Sequence, residues 1–304
     1  METGRISGLT REDLDLDATL SSGQVFRWDR DADGVWRGVI ERGRRVRLAQ
    51  ARDDGALYFE AEGPDAETAV RRFLRLGDVD LPARADAWSR ADPHFAEAWS
   101  EQPGVRLLRQ DPEECFFSFL CASVAPIARI SGMLRAVAAE YGGESASFPD
   151  AERLSAAEES RLRALGLGFR ARRVALAARR IVAEEIDLRA LRAAPPADAK
   201  AALMRFEGVG EKIADCVRLF SMDHDDAVPV DTHIWRMARA RYAPELAGRS
   251  LTPAAYARVV EAFHDRFGPD AGWAQQILFY RAAVAPGQAA RRRREAASSS
   301  GRGQ

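Results

Sequence analysis

Lys212 stands two residues beyond a Gly-Val-Gly turn, in RFEGVGEKIADC (205–216). It is one of two lysines in a chain whose other basic residues, 43 of 45, are arginine and which contains no asparagine. Arginine serves here wherever a positive charge suffices. A retained lysine therefore points to something a guanidinium cannot do: shed its proton and attack an electrophilic carbon. Gly208 and Gly210 are expected to allow positive φ and to leave their N–H groups open, and a helix beginning near Glu211 aims its free N–H groups and positive dipole end outward from the same turn. That makes an anion site beside an amine. Further on, AVPVDTHIW opens a helix at Asp231. An aspartate there is an N-cap, and its carboxylate is also suited to steady a cation developing at a sugar carbon. His233, in the first turn, is suited to donate a ring N–H to phosphate. Taken singly, each group has an ordinary reading: a solvated lysine, a plain cap, a structural histidine.

The elements that must position these groups can be read from periodicity. Residues 23 to 62 are strand-like, with QVFRW, GVWRGVIERG, RRVRLAQ and ALYFEAEG separated by DADG and RDDG turns. From about Pro64 the pattern becomes helical, predicting helices over 66–76, 95–101, 112–123, 127–141, 156–164, 170–184, 199–206, 211–222, 232–242, 253–267 and 271–284. On the 211–222 helix, Ile213, Val217 and Phe220 form the buried stripe, Glu211, Asp215 and Arg218 the wet side, and Lys212 and Cys216 a flank between them. The layout is α+β: an antiparallel sheet domain over 1–95, a helical domain over 96–285, and a tail over 286–304 containing an RRRR run.

Bulk composition narrows the function. At 304 residues, 46% hydrophobic and 30% charged, the chain reads as soluble and globular, without a secretory signal or a ~20-residue membrane span. Cys115, Cys121 and Cys216 are too few for a disulfide framework, an iron–sulfur cluster or a cysteine-rich zinc site, so no metal or cofactor is expected. A net charge of −1 argues against indiscriminate polyanion binding, yet RLRALGLGFRARRVALAARR (161–180) carries seven arginines and no acid. Its ordinary reading is a solvated helix face.

Together, FEGVGEKIADC, VPVDTHIW, LDLDATLSSGQVFRW, DPEECFFSFLCAS, IARISGML, LGLGFRARRV and GWAQQILF resemble, in order and approximate spacing over residues 13 to 284, the eukaryotic-type 8-oxoguanine DNA glycosylases of the helix-hairpin-helix superfamily. The resemblance implies a TBP-like antiparallel domain followed by a helix-hairpin-helix domain, acting by base flipping on duplex DNA with oxidised purines. It implies that Lys212 attacks C1′ and forms a Schiff base, and that Asp231 stabilises the oxocarbenium-like transition state. Cys216 and Phe279 match the residues that sandwich the everted base, Gln275 the one that reads its Watson–Crick edge, and Gly23 the one whose carbonyl accepts the N7–H of 8-oxoguanine. Gly208, Gly210 and His233 match phosphate contacts. Arg129 and Arg170 match the readers of the orphaned cytosine, and Phe169 stands where the family has a tyrosine wedge. Val124, Ala125 and Pro126 replace a run of asparagines, the first of which touches that cytosine, so a relaxed preference for cytosine is expected. A monomer is expected, in the cytoplasm with the nucleoid if the source is prokaryotic and in the nucleus if eukaryotic. The competing readings are a monofunctional glycosylase for alkylated bases, which uses the aspartate without the lysine, and a hairpin module without catalysis.

Overall fold

The computed structural model describes residues 1–41, 43–123, 125–143 and 147–287. Val124 and the arginine-rich part of the tail lie outside these residues. The chain begins with β1 (Glu2–Ile6) and α1 (Leu16–Leu20), followed by β2 (Asp29–Arg30), β3 (Trp36–Ile40), β4 (Arg44–Gln50) and β5 (Leu57–Ala61). The five strands form one antiparallel sheet in the order β1-β5-β4-β3-β2. Helices α2 (Ala66–Phe73), α3 (Leu81–Ala91), α4 (Pro93–Glu101), α5 (Pro112–Cys121) and α6 (Ile127–Tyr141) come next. After α7 (Ala151–Ser155) and α8 (Glu159–Leu162), a π-wound turn (Arg163–Leu167) leads into α9 (Arg170–Ala183). The chain closes with α10 (Pro196–Met204), α11 (Glu211–Ser221), α12 (Thr232–Arg241), α13 (Pro253–Phe267) and α14 (Ala271–Phe279), the last continuing into a second π-wound turn (Tyr280–Val284).

Three of the four strand-like stretches pair as strands. QVFRW does not, although its burial alternates residue by residue from Ser22 to Trp28. Its polar groups are satisfied by side chains instead of a ladder. Gln24 is fully buried; its Nε2 donates to Ser22 Oγ and to the Arg106 carbonyl (2.8 Å each), and its Oε1 accepts from the Leu108 N–H (3.0 Å). β1 was not anticipated. Its middle residue, Gly4, faces Phe59 so closely that a Cβ would lie 2.3 Å from the ring, and glycine at mid-strand masks the usual pattern. α3 was also missed, because its buried stripe of Leu81, Ala85 and Trp88 includes an alanine and shows little contrast.

Two cores form. The smaller lies between the sheet and α2, with Val46, Leu48, Phe59, Val70 and Phe73. The larger fills the helical body and takes in Phe26, α3 and α4. Arginines fasten the bodies together: Arg75 makes a two-pronged pair with Asp225 (2.7 and 3.0 Å), and Arg109 Nε reaches Asp223 (2.8 Å). Among the described residues no helix is long and apolar enough to cross a membrane.

Candidate active site

α10, the turn and α11 form the helical hairpin. Gly208 holds φ +88°, and its missing Cβ is replaced by the side chain of Arg173, which a methyl would meet at 2.6 Å. Gly210 departs from expectation: its backbone is extended (φ −99°, ψ −178°), as the N-cap position requires, so it has no need of a left-handed conformation. Glycine there leaves α11 without a side-chain cap, and nothing lies within 4 Å of where its Cβ would be. The first-turn N–H groups are thus open to an outside acceptor.

α11 is buried on more of its surface than periodicity indicates. Val217 and Phe220 are buried and Ile213 half-buried, but Asp215 and Arg218, expected on the wet side, are 1% and 4% exposed. They escape the hydrophobic rule because they pair with each other (2.8 Å) and with partners on other elements. Lys212, half-buried on the flank, points its Nζ toward the Phe119 ring on α5, 5.2 Å from the centroid. It lies close enough to Cys216, one turn later, to act on the thiol electrostatically. Burial pushes the Cys216 thiol up to about 11; the Lys212 charge opposes that, while Asp215 and Asp231 add to it. One thiol therefore feels both the amine and the carboxylate on which the chemistry depends.

Asp231 caps α12 with one oxygen: Oδ1 accepts from the N–H groups of His233 (3.0 Å) and Ile234 (2.8 Å). Its Oδ2 accepts no hydrogen bond among the described residues, so one carboxylate oxygen is left free by the cap. The His233 ring meets the Phe279 ring edge-on, with centroids 6.2 Å apart. Phe279 in turn lies beside Gly23, whose φ is +82° and whose would-be Cβ is 3.7 Å from both Phe279 and Ile127. One turn before Phe279, Gln275 is 2% exposed and its Oε1 has no partner among the described residues. A buried amide oxygen without a donor costs about 1–3 kcal/mol, a cost a bound ligand with an N–H edge would remove. The structure thus gathers Lys212, Cys216 and Asp231 in one neighbourhood, and Gly23, Phe279 and His233 in a contiguous run, with Gln275 one turn along α14.

Sequence reasoning overlooked what holds the Gly23 loop against α14. Gln276 Nε2 donates to the Ser22 carbonyl (3.2 Å), tying α14 to the Gly23 loop across the domain junction. Two adjacent glutamines in the otherwise apolar GWAQQILF were the available signal. Phe119, packed against both Phe26 and Phe220 (5.5 Å each), supplies the aromatic floor under Lys212.

A second group lies at the start of α9. Phe169 is 52% exposed, with the guanidinium carbons of Arg170 and Arg173 at 4.3 and 5.4 Å from its ring centroid. Arg170 is buried and donates to the Ser123 carbonyl; burial, then the charges of Arg129 and Arg173, pull it below the usual arginine range. Arg129 is exposed, and its guanidinium has no partner among the described residues. The arginine run divides accordingly: Arg161, Arg163 and Arg180 pair with Glu140, Glu159 and Glu184 as a solvated face does, while Arg170 and Arg173 gather around the exposed ring.

Comparison with known proteins identifies the family. Residues 7–116 match the family described as 8-oxoguanine DNA glycosylase, N-terminal domain, and residues 117–267 the HhH-GPD superfamily of base excision DNA repair proteins. The chain is 37% identical to the N-glycosylase/DNA lyase OGG1 of Arabidopsis thaliana over 286 residues, covering 89% of this chain and 78% of that protein. It is similar to the solved structure of MBOgg1 in complex with a low-affinity DNA ligand (TM-score 0.82, 29% identity, 91% and 94% of the two chains). It is also similar to the Clostridium acetobutylicum 8-oxoguanine glycosylase/lyase in complex with dsDNA containing cytosine opposite 8-oxoG (TM-score 0.79, 25% identity, 89% and 92%). With the lysine of the bifunctional members in the hairpin and the aspartate capping the next helix, the chain belongs to the 8-oxoguanine DNA glycosylase/lyase family of the helix-hairpin-helix superfamily.

Proposed function

We propose that this protein excises 8-oxoguanine from duplex DNA and then nicks the strand at the abasic sugar. It acts as a monomer, in the nucleoid-containing cytoplasm of a prokaryote or the nucleus of a eukaryote. The observation that carries this reading is the placement of Lys212 and Asp231 around Cys216, with a buried Gln275 whose oxygen has no partner among the described residues; Gly23, Gln275 and Phe279 would line the base slot.

The chemistry follows from the groups present. The target nucleotide leaves the stack, because its glycosidic bond is unreachable inside the duplex. As that bond lengthens, positive charge grows at C1′, and the free oxygen of Asp231 faces it in a partly dry site where electrostatic stabilisation is strong. The Lys212 amine forms the new C1′–N bond and loses its proton. The sugar ring opens to an imine, and removal of a 2′ proton expels the 3′ phosphate. Phe279 and Cys216 flank the base, Gln275 offers its amide to the Watson–Crick edge, and the Gly23 carbonyl accepts N7–H. Guanine, with a bare N7, would set an acceptor against that carbonyl. Phe169 wedges into the base stack, Arg129 and Arg170 read the orphaned cytosine, and Gly208, Gly210 and His233 hold phosphates.

Borohydride reduction with 8-oxoguanine duplex tests the reading. A covalent protein–DNA adduct is expected from the native protein and none from Lys212→Gln or Lys212→Arg. Base release without any adduct would favour the monofunctional alternative; neither release nor adduct would favour a hairpin module that only binds.

A further inference from the structure

The buried Asp215 poses a problem that the reaction above does not solve. A carboxylate with 1% exposure costs several kcal/mol to desolvate, and apolar residues of similar size often serve stability as well or better. Yet Asp215 is fully engaged. Oδ1 accepts from Arg218 (2.8 Å), and Oδ2 accepts from Lys200 Nζ (2.9 Å) and from the Tyr256 hydroxyl (2.7 Å). The Tyr256 oxygen accepts in turn from the Val230 N–H (3.2 Å) and lies 3.2 Å from the Val228 carbonyl. Tyr256, on α13, is thus a bridge. On one side it holds the α11 residue next to Cys216, less than a turn from Lys212. On the other it holds the backbone residue just before Asp231.

We propose that Asp215 and Tyr256 are positioning residues for excision: the chain Asp215–Tyr256–Val230 fixes the separation between the Lys212 amine and the Asp231 carboxylate. This inference rests on the proposed lysine–aspartate chemistry and adds the device that sets its geometry. The two reacting groups sit on different helices joined by residues 222–230, and a shift of one against the other by ~1 Å costs ~10²-fold in rate. A hydrogen-bonded bridge has one length and direction; an apolar contact in its place would allow sliding. The second lysine fits the same account. Lys200 is the only lysine besides Lys212 in a chain that otherwise uses arginine, and it reaches Asp215 with its ammonium 5.0 Å from the Tyr256 ring centroid. Arg218 already occupies the other carboxylate oxygen with its planar fork, so the remaining corner suits a compact point charge.

The test is single-turnover base release from 8-oxoguanine duplex by the native protein, Tyr256→Phe, Asp215→Asn and the double variant, with duplex affinity and melting temperature measured in parallel. Tyr256→Phe keeps the ring, so it folds even where Asp215→Asn does not. Its rate constant should fall ~10- to 10²-fold while affinity for uncleaved duplex stays within about twofold of native. The double variant should be no slower than the slower single, as expected of two groups acting through one contact. Lys200→Arg should also be slowed. A Tyr256→Phe protein that melts lower yet cleaves at the native rate overturns the proposal and leaves the bridge a purely structural one. Multiplying single-variant losses overturn it too. A native protein that releases no 8-oxoguanine overturns the functional reading itself, and this inference with it.

Discussion

The proposed slot around Lys212 and the arginine face around Phe169 both border α5, but they are built in opposite ways. The residues proposed to line the slot are held in place by the protein itself. Gln275 is buried, Asp231 is fixed by its own cap, and the Gly23 loop is tied down by Gln24 and Gln276. The arginine face is half finished: an exposed ring, one exposed guanidinium, and one buried guanidinium borrowing a backbone carbonyl. Rigid, desolvated groups suit a choice between two purines that differ by one proton and one oxygen. Long cationic side chains suit a partner whose backbone must first be bent. Under the proposed function, the comparison assigns lesion identity to preorganised geometry and the opposite strand to groups that complete their contacts on binding.

That contrast can be broken or sharpened experimentally. Lys212→Gln should have the largest effect, removing the borohydride adduct and strand nicking altogether while duplex binding persists in a gel-shift assay. Asp231→Asn should slow base release by ~10²- to 10³-fold. Asparagine caps as well as aspartate, so the melting temperature should hardly change; a large drop would mean the cap, and not the free oxygen, had been lost. Gln275→Ala should cost ~10- to 10²-fold in excision and leave the ratio of 8-oxoguanine to guanine binding, read by competition, nearly unchanged, because the two purines share one Watson–Crick edge. Phe169→Ala should weaken duplex binding by ~1–3 kcal/mol and leave the excision rate of bound lesion less affected than any slot variant. At the small end, the native protein should discriminate only weakly between cytosine and adenine opposite the lesion. Val124→Asn should widen that ratio, in paired single-turnover assays. A strong native preference for cytosine would mean Arg129 and Arg170 read the opposite base unaided.

The slot was the more legible region because its residues are chemically distinctive at fixed spacings. A lysine after Gly-Val-Gly, an aspartate opening a helix, and a glutamine four residues before a phenylalanine all survive translation into one dimension. What periodicity did not show was the far side of α11. Asp215 and Arg218 have the spacing of a solvated face, and only the folded arrangement reveals Tyr256, Lys200 and Asp226 closing over them. QVFRW misled for a related reason: alternating burial signals a strand only when a neighbour supplies the ladder, and here Gln24 supplies the hydrogen bonds instead. β1 depends on a partner far along the chain, which no local pattern records.

The tie between Gln276 and Ser22 has a consequence for how the molecule can be divided. A polypeptide starting after Arg109 would retain the lysine, the aspartate and the whole hairpin, yet lack one wall of the recess. It would also leave the indole of Trp273 uncovered where Arg75 and Arg106 now stack on it. Such a fragment would keep the reagents and lose the judgement about which base to use them on. On the proposed function, the N-terminal loop that carries Gly23 would therefore matter to damage discrimination as much as the helices that bear Lys212 and Asp231.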